Sequence, residues 1–254
     1  MNDKLLFWID QTLVDYGTAK SIQEKYPCDL FAIIDVTDRT KSFFNTQKFV
    51  NFKKIWFYHD YFDIHCKPDI EYLKSFEKKY DINLWLLAYN ERIFYRFNDY
   101  FKFTEKNVLC ILEQECKLYE KILDDVNPDF IIMSQPPFHH NFLFYKICKA
   151  KKINILILKP VRIGYKSLIT SDDELLEFKE SKKISNTRTF EELLDHHNNF
   201  SLHQQGIEFE EKFQKSKSGF LKAIIQFLFV SNNSNVKTHY TYYGRNKLKV
   251  FFLY

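Results

Sequence analysis

The sequence predicts an α/β fold with a Rossmann-like, mostly parallel sheet flanked by helices. Short apolar runs alternate with longer amphipathic stretches, which is the order that β-α-β units produce around a parallel sheet. Polar residues follow most of the apolar runs, as expected where buried strands end. The length of 254 residues suits one large domain or two small ones, and a hydrophobic fraction of 45% excludes a disordered chain.

The elements follow from this pattern and from the residues that start and stop helices. Pro27 lies just after the first predicted helix, and Thr104 is a good N-cap for the longest one, which Pro128 follows. The run 84–88 is compatible with a strand or with the start of a helix. The predicted strands are 5–9, 30–34, 54–58, 130–133 and 153–158, and the predicted helices are 18–26, 40–50, 69–80, 104–126 and 138–150.

The composition changes beyond Ser171, so we expect a Rossmann-like domain over 1–170 and a helical or linker extension over 171–254. The apolar run 220–230 is shorter than the roughly 20 residues of a spanning helix. Because lysines precede it, a helix resting on a membrane surface stays open beside packing within the protein. The apolar end, 248–254, favours a chain that stops before a further domain.

Charge and motifs exclude several classes of protein. A net charge of +4 gives no basic stripe for phosphates, so nucleic acid is not an expected partner. The five glycines form no phosphate-binding loop, which argues against a dinucleotide oxidoreductase or a P-loop NTPase, and no cofactor is expected. The five cysteines form no CxxC pair, so we expect free thiols in a reducing cytoplasm and no disulfide or zinc site.

Polar residues at the carboxyl ends of the predicted strands mark the first candidate site, because ligands of parallel sheets bind there. Ordinary turn and cap chemistry is the alternative for each of them. They are Asp10, Asp35, Asp38, Arg39, His59, Asp60, Ser134, Gln135, Lys159 and Arg162.

The loop 133–141 is the most informative of these ends. Two prolines fix the loop, and His139 and His140 come in the first turn of the next helix, where the helix dipole disfavours a proton on a histidine. We therefore predict a neutral catalytic base at His139 or His140. Capping or packing stays open as the alternative, and a metal site that includes His59 or His65 is a weaker one.

Aromatic and polar residues occur together in the segment 85–92, as they do in carbohydrate sites. A solvated ion pair between Glu91 and Arg92 is the alternative. A second group, Arg162 and Tyr165, follows the last predicted strand, where an arginine can bind a phosphate or carboxylate. The predicted substrate-binding residues are Tyr89, Asn90, Glu91, Arg92, Gln135, Arg162 and Tyr165.

Several of these segments, taken in order, resemble surface or capsular polysaccharide biosynthesis proteins of glycosyltransferase type. The resemblance covers roughly residues 70–250. It rests on DINLW with Ala88, Tyr89 and Arg92, on ILEQE at 111–115, PDF at 128–130, HHN at 139–141, CKAK at 148–151, RIGY at 162–165 and HYTYYGR at 239–245.

This resemblance implies the N-terminal half of a GT-B-like architecture, whose second half binds the nucleotide-sugar donor. The chain would then be the acceptor-side domain of an enzyme that transfers a sugar to a glycan acceptor, in the cytoplasm or at the inner face of the membrane. His139 or His140 would be the base, and Arg92 and Arg162 would bind substrate. Two alternatives remain: a non-catalytic assembly subunit that docks on a partner chain, and a response-regulator-like module built on Asp10, Asp35 and Lys159.

Overall fold

Six strands form a single sheet in the computed structural model, which describes residues 2–10, 12–36, 38–96, 99–160, 167–173, 189–199, 217–225, 228–229 and 240–253. The strands lie in the order β3-β2-β1-β4-β5-β6. They are β1 (Asp3–Ile9), β2 (Cys28–Ile34), β3 (Phe52–Phe57), β4 (Phe130–Ser134), β5 (Asn154–Pro160) and β6 (Ser167–Thr170).

The first five strands pair in parallel and β6 pairs antiparallel with β5. The predicted α/β class and mostly parallel sheet are therefore confirmed, and β6 was not predicted. Strand order reverses at β1, which pairs with β2 on one side and with β4 on the other. Leu5 shows this position, because it pairs with both Leu30 and Phe130. Crevices between the carboxyl ends of strands form at such a reversal.

Helices connect the strands, and the largest group lies between β3 and β4. The run 84–88, which the sequence left ambiguous, is helical because the Asn83 side chain accepts a hydrogen bond from the Leu86 amide. The helices of the sheet region are α1 (Val14–Gln23), α2 (Asp38–Thr46), α3 (Ile70–Tyr80), α4 (Leu84–Asn90), α5 (Arg92–Tyr95), α6 (Glu105–Val126) and α7 (His139–Ala150).

Strand side chains alternate between two apolar cores, one on each face of the sheet. Leu6 and Trp8 of β1 face the larger core, formed with α3, α4, α6 and α7. Phe7 and Ile9 face the smaller core, formed with α1 and α2. The first strand is thus buried on both faces, as the near-continuous apolar run of a central parallel strand predicts.

A buried carboxylate connects α1 to the end of β4. Asp15 accepts hydrogen bonds from the Ser134 amide at 3.1 Å and from the Ser134 hydroxyl at 2.8 Å. Burial raises the pKa of Asp15 to about 6, although the Ser134 hydroxyl opposes the shift.

The expectation of free thiols is wrong for two cysteines. Cys66, in the loop before α3, forms a disulfide with Cys110 in the first turns of α6. The two are 44 residues apart in the sequence, and only the packing of that loop on α6 brings them together. Cys28, Cys116 and Cys148 are free, and the last two are buried as expected.

Beyond β6 the described elements are mostly helical, as the sequence predicted. The helix Lys217–Ile225, which overlaps the apolar run 220–230, exposes Leu221 and Ile225. No helix in the described ranges is both long and apolar enough to span a bilayer. The elements are α8 (Phe190–Asn199), a helix over Lys217–Ile225, a short 3-10 helix over Tyr240–Tyr242 and a helix over Lys247–Leu253.

The raised pKa of Asp15 predicts a pH-dependent stability. A carboxyl whose pKa is higher in the folded chain binds more protons there, so the free energy of unfolding falls as pH rises from about 4 to about 7, by about 3 kcal/mol. Asp15→Asn keeps an acceptor for Ser134 and should remove this fall in urea unfolding curves measured across that range. Asp124→Asn, at an exposed position, is the control. Parallel pH profiles for wild type and Asp15→Asn would contradict the assignment.

Candidate functional site

A cavity of about 400 Å³ lies at the carboxyl ends of the strands, where strand order reverses. Side chains that follow β1, β2 and β3 meet there with the first turn of α7, so the predicted convergence of strand-end residues is observed for Asp10, Asp35 and His59. The lining residues are Asp10, Asp35, His59, Glu91, Ile93, Phe138, His140, Tyr240, Tyr242 and Arg245.

One carboxylate holds two histidines at the wall of this cavity. Asp35 Oδ1 lies 2.7 Å from His59 Nε2, and Asp35 Oδ2 lies 2.8 Å from His140 Nε2. A carboxylate only accepts hydrogen bonds, so both Nε2 atoms donate. Burial opposes the charge on Asp35, but the two histidines outweigh it and hold the pKa of Asp35 well below its usual range. Burial also lowers the pKa of His59, which favours a neutral ring.

His139 points away from this pair and is enclosed by two other carboxylates. Its Nδ1 lies 2.9 Å from Glu91 Oε2, and its Nε2 lies 3.0 Å from Glu115 Oε1. The His139 amide also donates to Glu91, at 3.1 Å. Both ring nitrogens face acceptors, so both donate and the ring carries a charge.

The pKa of His139 reflects this enclosure. Burial lowers it, but the charges and hydrogen bonds of Glu115 and Glu91 outweigh burial and raise the pKa to about 9. His139 in turn lowers the pKa of Glu91 to about 2. The neutral state predicted for a histidine in this turn therefore does not hold for His139, because two buried carboxylates outweigh the helix dipole. Glu91 is buried and pairs with His139, so the alternative of a solvated pair between Glu91 and Arg92 does not hold either.

Two buried tyrosines connect the His139 group to the His140 group. Tyr58 donates a hydrogen bond to Glu115, and its hydroxyl lies 3.3 Å from that of Tyr240. The Tyr240 hydroxyl also lies 3.3 Å from His140 Nδ1. Burial raises the pKa of both phenols well above the usual range, so both keep their protons. Tyr58 gives its only proton to Glu115, so Tyr240 has one proton for two neighbours and donates to either Tyr58 or His140 Nδ1. Hydrogen bonds join Glu91, His139, Glu115 and Tyr58 on one side and His140, Asp35 and His59 on the other, and the Tyr240 hydroxyl lies between the two groups.

Aromatic rings hold the His140 imidazole in place. It stacks on Tyr58, with ring centres 4.9 Å apart, and on Phe138, with centres 5.7 Å apart and planes within 9°. The His140 carbonyl also accepts a hydrogen bond from the Tyr119 hydroxyl at 3.1 Å. The orientation of the ring is therefore fixed before any ligand binds.

The segment 240–245 completes the cavity. Tyr240, Tyr242 and Arg245 line it, and the Arg245 guanidinium lies over the rings of Tyr100 and Tyr242, at 5.1 and 5.0 Å from their centres. Gly244 adopts a φ of 72°, and a Cβ there would overlap the Tyr100 carbonyl oxygen. No residue of this segment was predicted to belong to a site. A glycine within a run of tyrosines was the only local signal.

The other predicted binding residues are divided among several places. Asn90 and Arg92 line a second cavity, of about 650 Å³, together with Glu91 and His139. Tyr89 is 67% exposed, and its ring contacts that of Tyr95. Gln135 is exposed, and its backbone N–H donates to the Leu158 carbonyl. Neither of these two lines a described cavity.

Three further expectations have different outcomes. Arg162 and Tyr165 lie outside the described residues. Lys159 pairs with Asp173 at 3.2 Å and does not line the cavity. No group of three or more histidine, cysteine or acidic side chains within the described ranges could hold a metal ion. The alternative of a metal site that includes His59 or His65 therefore finds no ligand group there.

Comparisons with known proteins give no match: no family model matches the chain, and neither the curated proteins nor the solved structures contain a similar one.

The enclosure of His139 predicts a high titration midpoint. Its ring should stay charged through neutral pH and titrate near pH 9, as followed by the NMR signal of its Cε1. Stability from this charge is complete below pH 6.5 and is lost as pH rises through about 9. Glu115→Gln should lower the midpoint by about 1 to 3 pH units. Glu113→Gln, on the same helix but bonded to Lys117, should leave it unchanged. Equal midpoints in both variants would refute the assignment.

The conformation of Gly244 predicts that alanine is not tolerated there. Gly244→Ala should destabilise the chain by about 1 to 3 kcal/mol, because a left-handed residue would gain a side chain against backbone. Gly17→Ala is the matched control: Gly17 lies in α1 with open space around it, and alanine should stabilise by about 0.5 to 1 kcal/mol. Urea unfolding measures both, and a neutral Gly244→Ala would show that the segment does not pack on Tyr100.

Proposed function

We propose that the chain is the acceptor-side domain of a glycosyltransferase in surface or capsular polysaccharide biosynthesis, and that the 400 Å³ cavity binds the acceptor saccharide. The observation that carries the proposal is the Asp35 carboxylate between His59 and His140 at the cavity wall. The donor is a nucleotide sugar, bound by a second half or a partner chain, as the sequence resemblance implies. No cofactor is required.

The lining chemistry suits a saccharide. Sugar hydroxyls donate to carboxylates, and Asp10, Asp35 and Glu91 supply these at the wall. Sugar rings pack on aromatic faces, and the Phe138 ring, which is 53% exposed, provides one. Arg245 adds a donor for a hydroxyl or a ring oxygen. The cavity volume is within the range of small-molecule sites.

Of the two candidate histidines, His140 suits the base. Asp35 accepts a hydrogen bond from its Nε2, and in a neutral ring with that tautomer Nδ1 carries the lone pair that can take a proton. Asp35 also stabilises the imidazolium that forms. His139 already holds a proton on each nitrogen and cannot accept another.

The Tyr240 hydroxyl faces His140 Nδ1, and Tyr240 is one of the residues that line the cavity, so the proposed path for the acceptor proton runs through this phenol. The acceptor hydroxyl gives its proton to the Tyr240 oxygen while the phenol proton moves to His140 Nδ1. The acceptor oxygen then bonds to the anomeric carbon of the donor, and the nucleoside diphosphate leaves with the electrons of the broken bond.

A binding experiment tests the first part of the proposal. We expect saturation-transfer NMR with a panel of monosaccharides and disaccharides to show a saccharide that binds this chain, and Asp35→Asn to weaken it by about 10-fold to 100-fold, since hydrogen bonds to a charged group are lost. His65→Gln, at an exposed histidine outside the cavity, should bind as wild type does. Unchanged affinity in Asp35→Asn would exclude the cavity as the site.

A transfer assay tests the second part. With a nucleotide-sugar panel and the donor-binding half or partner supplied, Tyr240→Phe should lower kcat by about 100-fold or more while saccharide affinity stays near that of wild type. Saccharide binding without transfer from any donor would instead support the non-catalytic assembly subunit.

A further inference from the structure

A second cavity adjoins the proposed acceptor site and has no role in the proposed reaction. It has a volume of about 650 Å³ and shares Glu91, Ile93 and Phe138 with the first cavity. A ligand in one cavity therefore lies directly beside the other. The remaining walls are Leu87, Asn90, Arg92, Pro136, Pro137, His139 and Phe142.

Apolar side chains and proline rings form much of the wall of the second cavity. Pro136 and Pro137 offer no backbone N–H, and Leu87 of α4 and Phe142 of α7 present apolar side chains. The first cavity also has apolar walls, but it is lined by three carboxylates and two histidines, against one carboxylate and one histidine in the second. The acceptors of the first cavity suit hydroxyls, and the apolar walls of the second suit a group that makes few hydrogen bonds.

The polar residues of the second cavity leave the apolar walls available. Glu91 and His139 are bonded to each other at 2.9 Å, so neither needs a ligand. Asn90 and Arg92 also line the second cavity, and both are exposed to solvent. An apolar group can therefore bind without leaving the buried Glu91 and His139 unpaired.

We propose that the second cavity binds an apolar substituent of the acceptor, so that the substrate class is an amphiphilic glycoside. Its saccharide occupies the first cavity and its alkyl or aryl aglycone passes Phe138 into the second. This inference rests on the proposed function for the saccharide end, and on the shared wall and the apolar side chains for the other end.

Chain length is the variable that tests this inference. Matched methyl, hexyl and octyl glycosides of glucose, galactose and N-acetylglucosamine are titrated by calorimetry below their micelle concentrations. We expect affinity to rise with chain length, by up to about fourfold for each methylene that is buried. In methyl-labelled protein, the Leu87 signals should shift with the octyl glycoside and not with its methyl partner.

Substitutions in each cavity separate the two ends of the ligand. Phe142→Ser should reduce the octyl advantage by tenfold or more and leave the methyl glycoside unaffected. Phe49→Ser, at an exposed phenylalanine outside both cavities, should leave both unaffected. Leu87→Asn provides the same test if Phe142→Ser does not fold.

The outcomes distinguish this inference from the proposed function. Affinity that does not rise with chain length, or an octyl advantage that survives Phe142→Ser and Leu87→Asn, overturns the inference alone. Three results together support an apolar site and overturn the saccharide site. Both variants remove the octyl advantage, the methyl glycosides do not bind, and Asp35→Asn binds the octyl glycoside as wild type does.

Discussion

The charge on Asp35 is the feature on which the rest of the site depends. A largely buried carboxylate at the carboxyl end of a strand is costly unless it is hydrogen-bonded, and here two imidazoles donate to it. His59 reaches it from the end of β3 and His140 from the start of α7. The same bonds that make the burial tolerable fix which nitrogen of each ring carries a proton. The hydrogen bonds that stabilise the Asp35 carboxylate therefore also orient the two histidines at the cavity wall.

The neighbouring histidines of α7 show how environment separates chemically identical side chains. His139 and His140 are adjacent, yet one is enclosed by Glu91 and Glu115 and the other meets Asp35 and a phenol. One holds its charge as part of the fold, and the other donates from Nε2 to Asp35 and faces the Tyr240 hydroxyl with Nδ1. Two successive residues in the first turn of a helix point about 100° apart, which is enough to reach different partners.

Much of the fold was predictable from the sequence because strands and helices leave periodic apolar patterns. The five parallel strands and the long helix α6 were placed within a few residues. The antiparallel β6 was missed, since the four residues Ser167–Thr170 carry no alternation long enough to be distinctive.

The site was predictable where parallel strands end, because topology alone brings Asp10, Asp35 and His59 together. Contacts between distant segments left no such signal. Nothing near Tyr58 or Glu115 in the sequence indicates that the two side chains join a network. Tyr240, whose hydroxyl lies beside that of Tyr58, is 182 positions from Tyr58 along the chain. Tyr89 and Gln135 look like binding residues by composition, but the direction of a helix face and of a turn takes them elsewhere.

Whether Cys66 and Cys110 stay joined depends on the compartment in which the protein works. A cytoplasmic location would keep both thiols reduced. The loop before α3 would still be tethered, because Asn107 of α6 donates to the Ile64 carbonyl and Gln114 both donates to the Asp63 carbonyl and accepts from its amide. These amide contacts keep the loop beside α6 when the sulfurs separate. The position of this loop on α6 is therefore held by contacts that do not respond to the redox state of the surroundings.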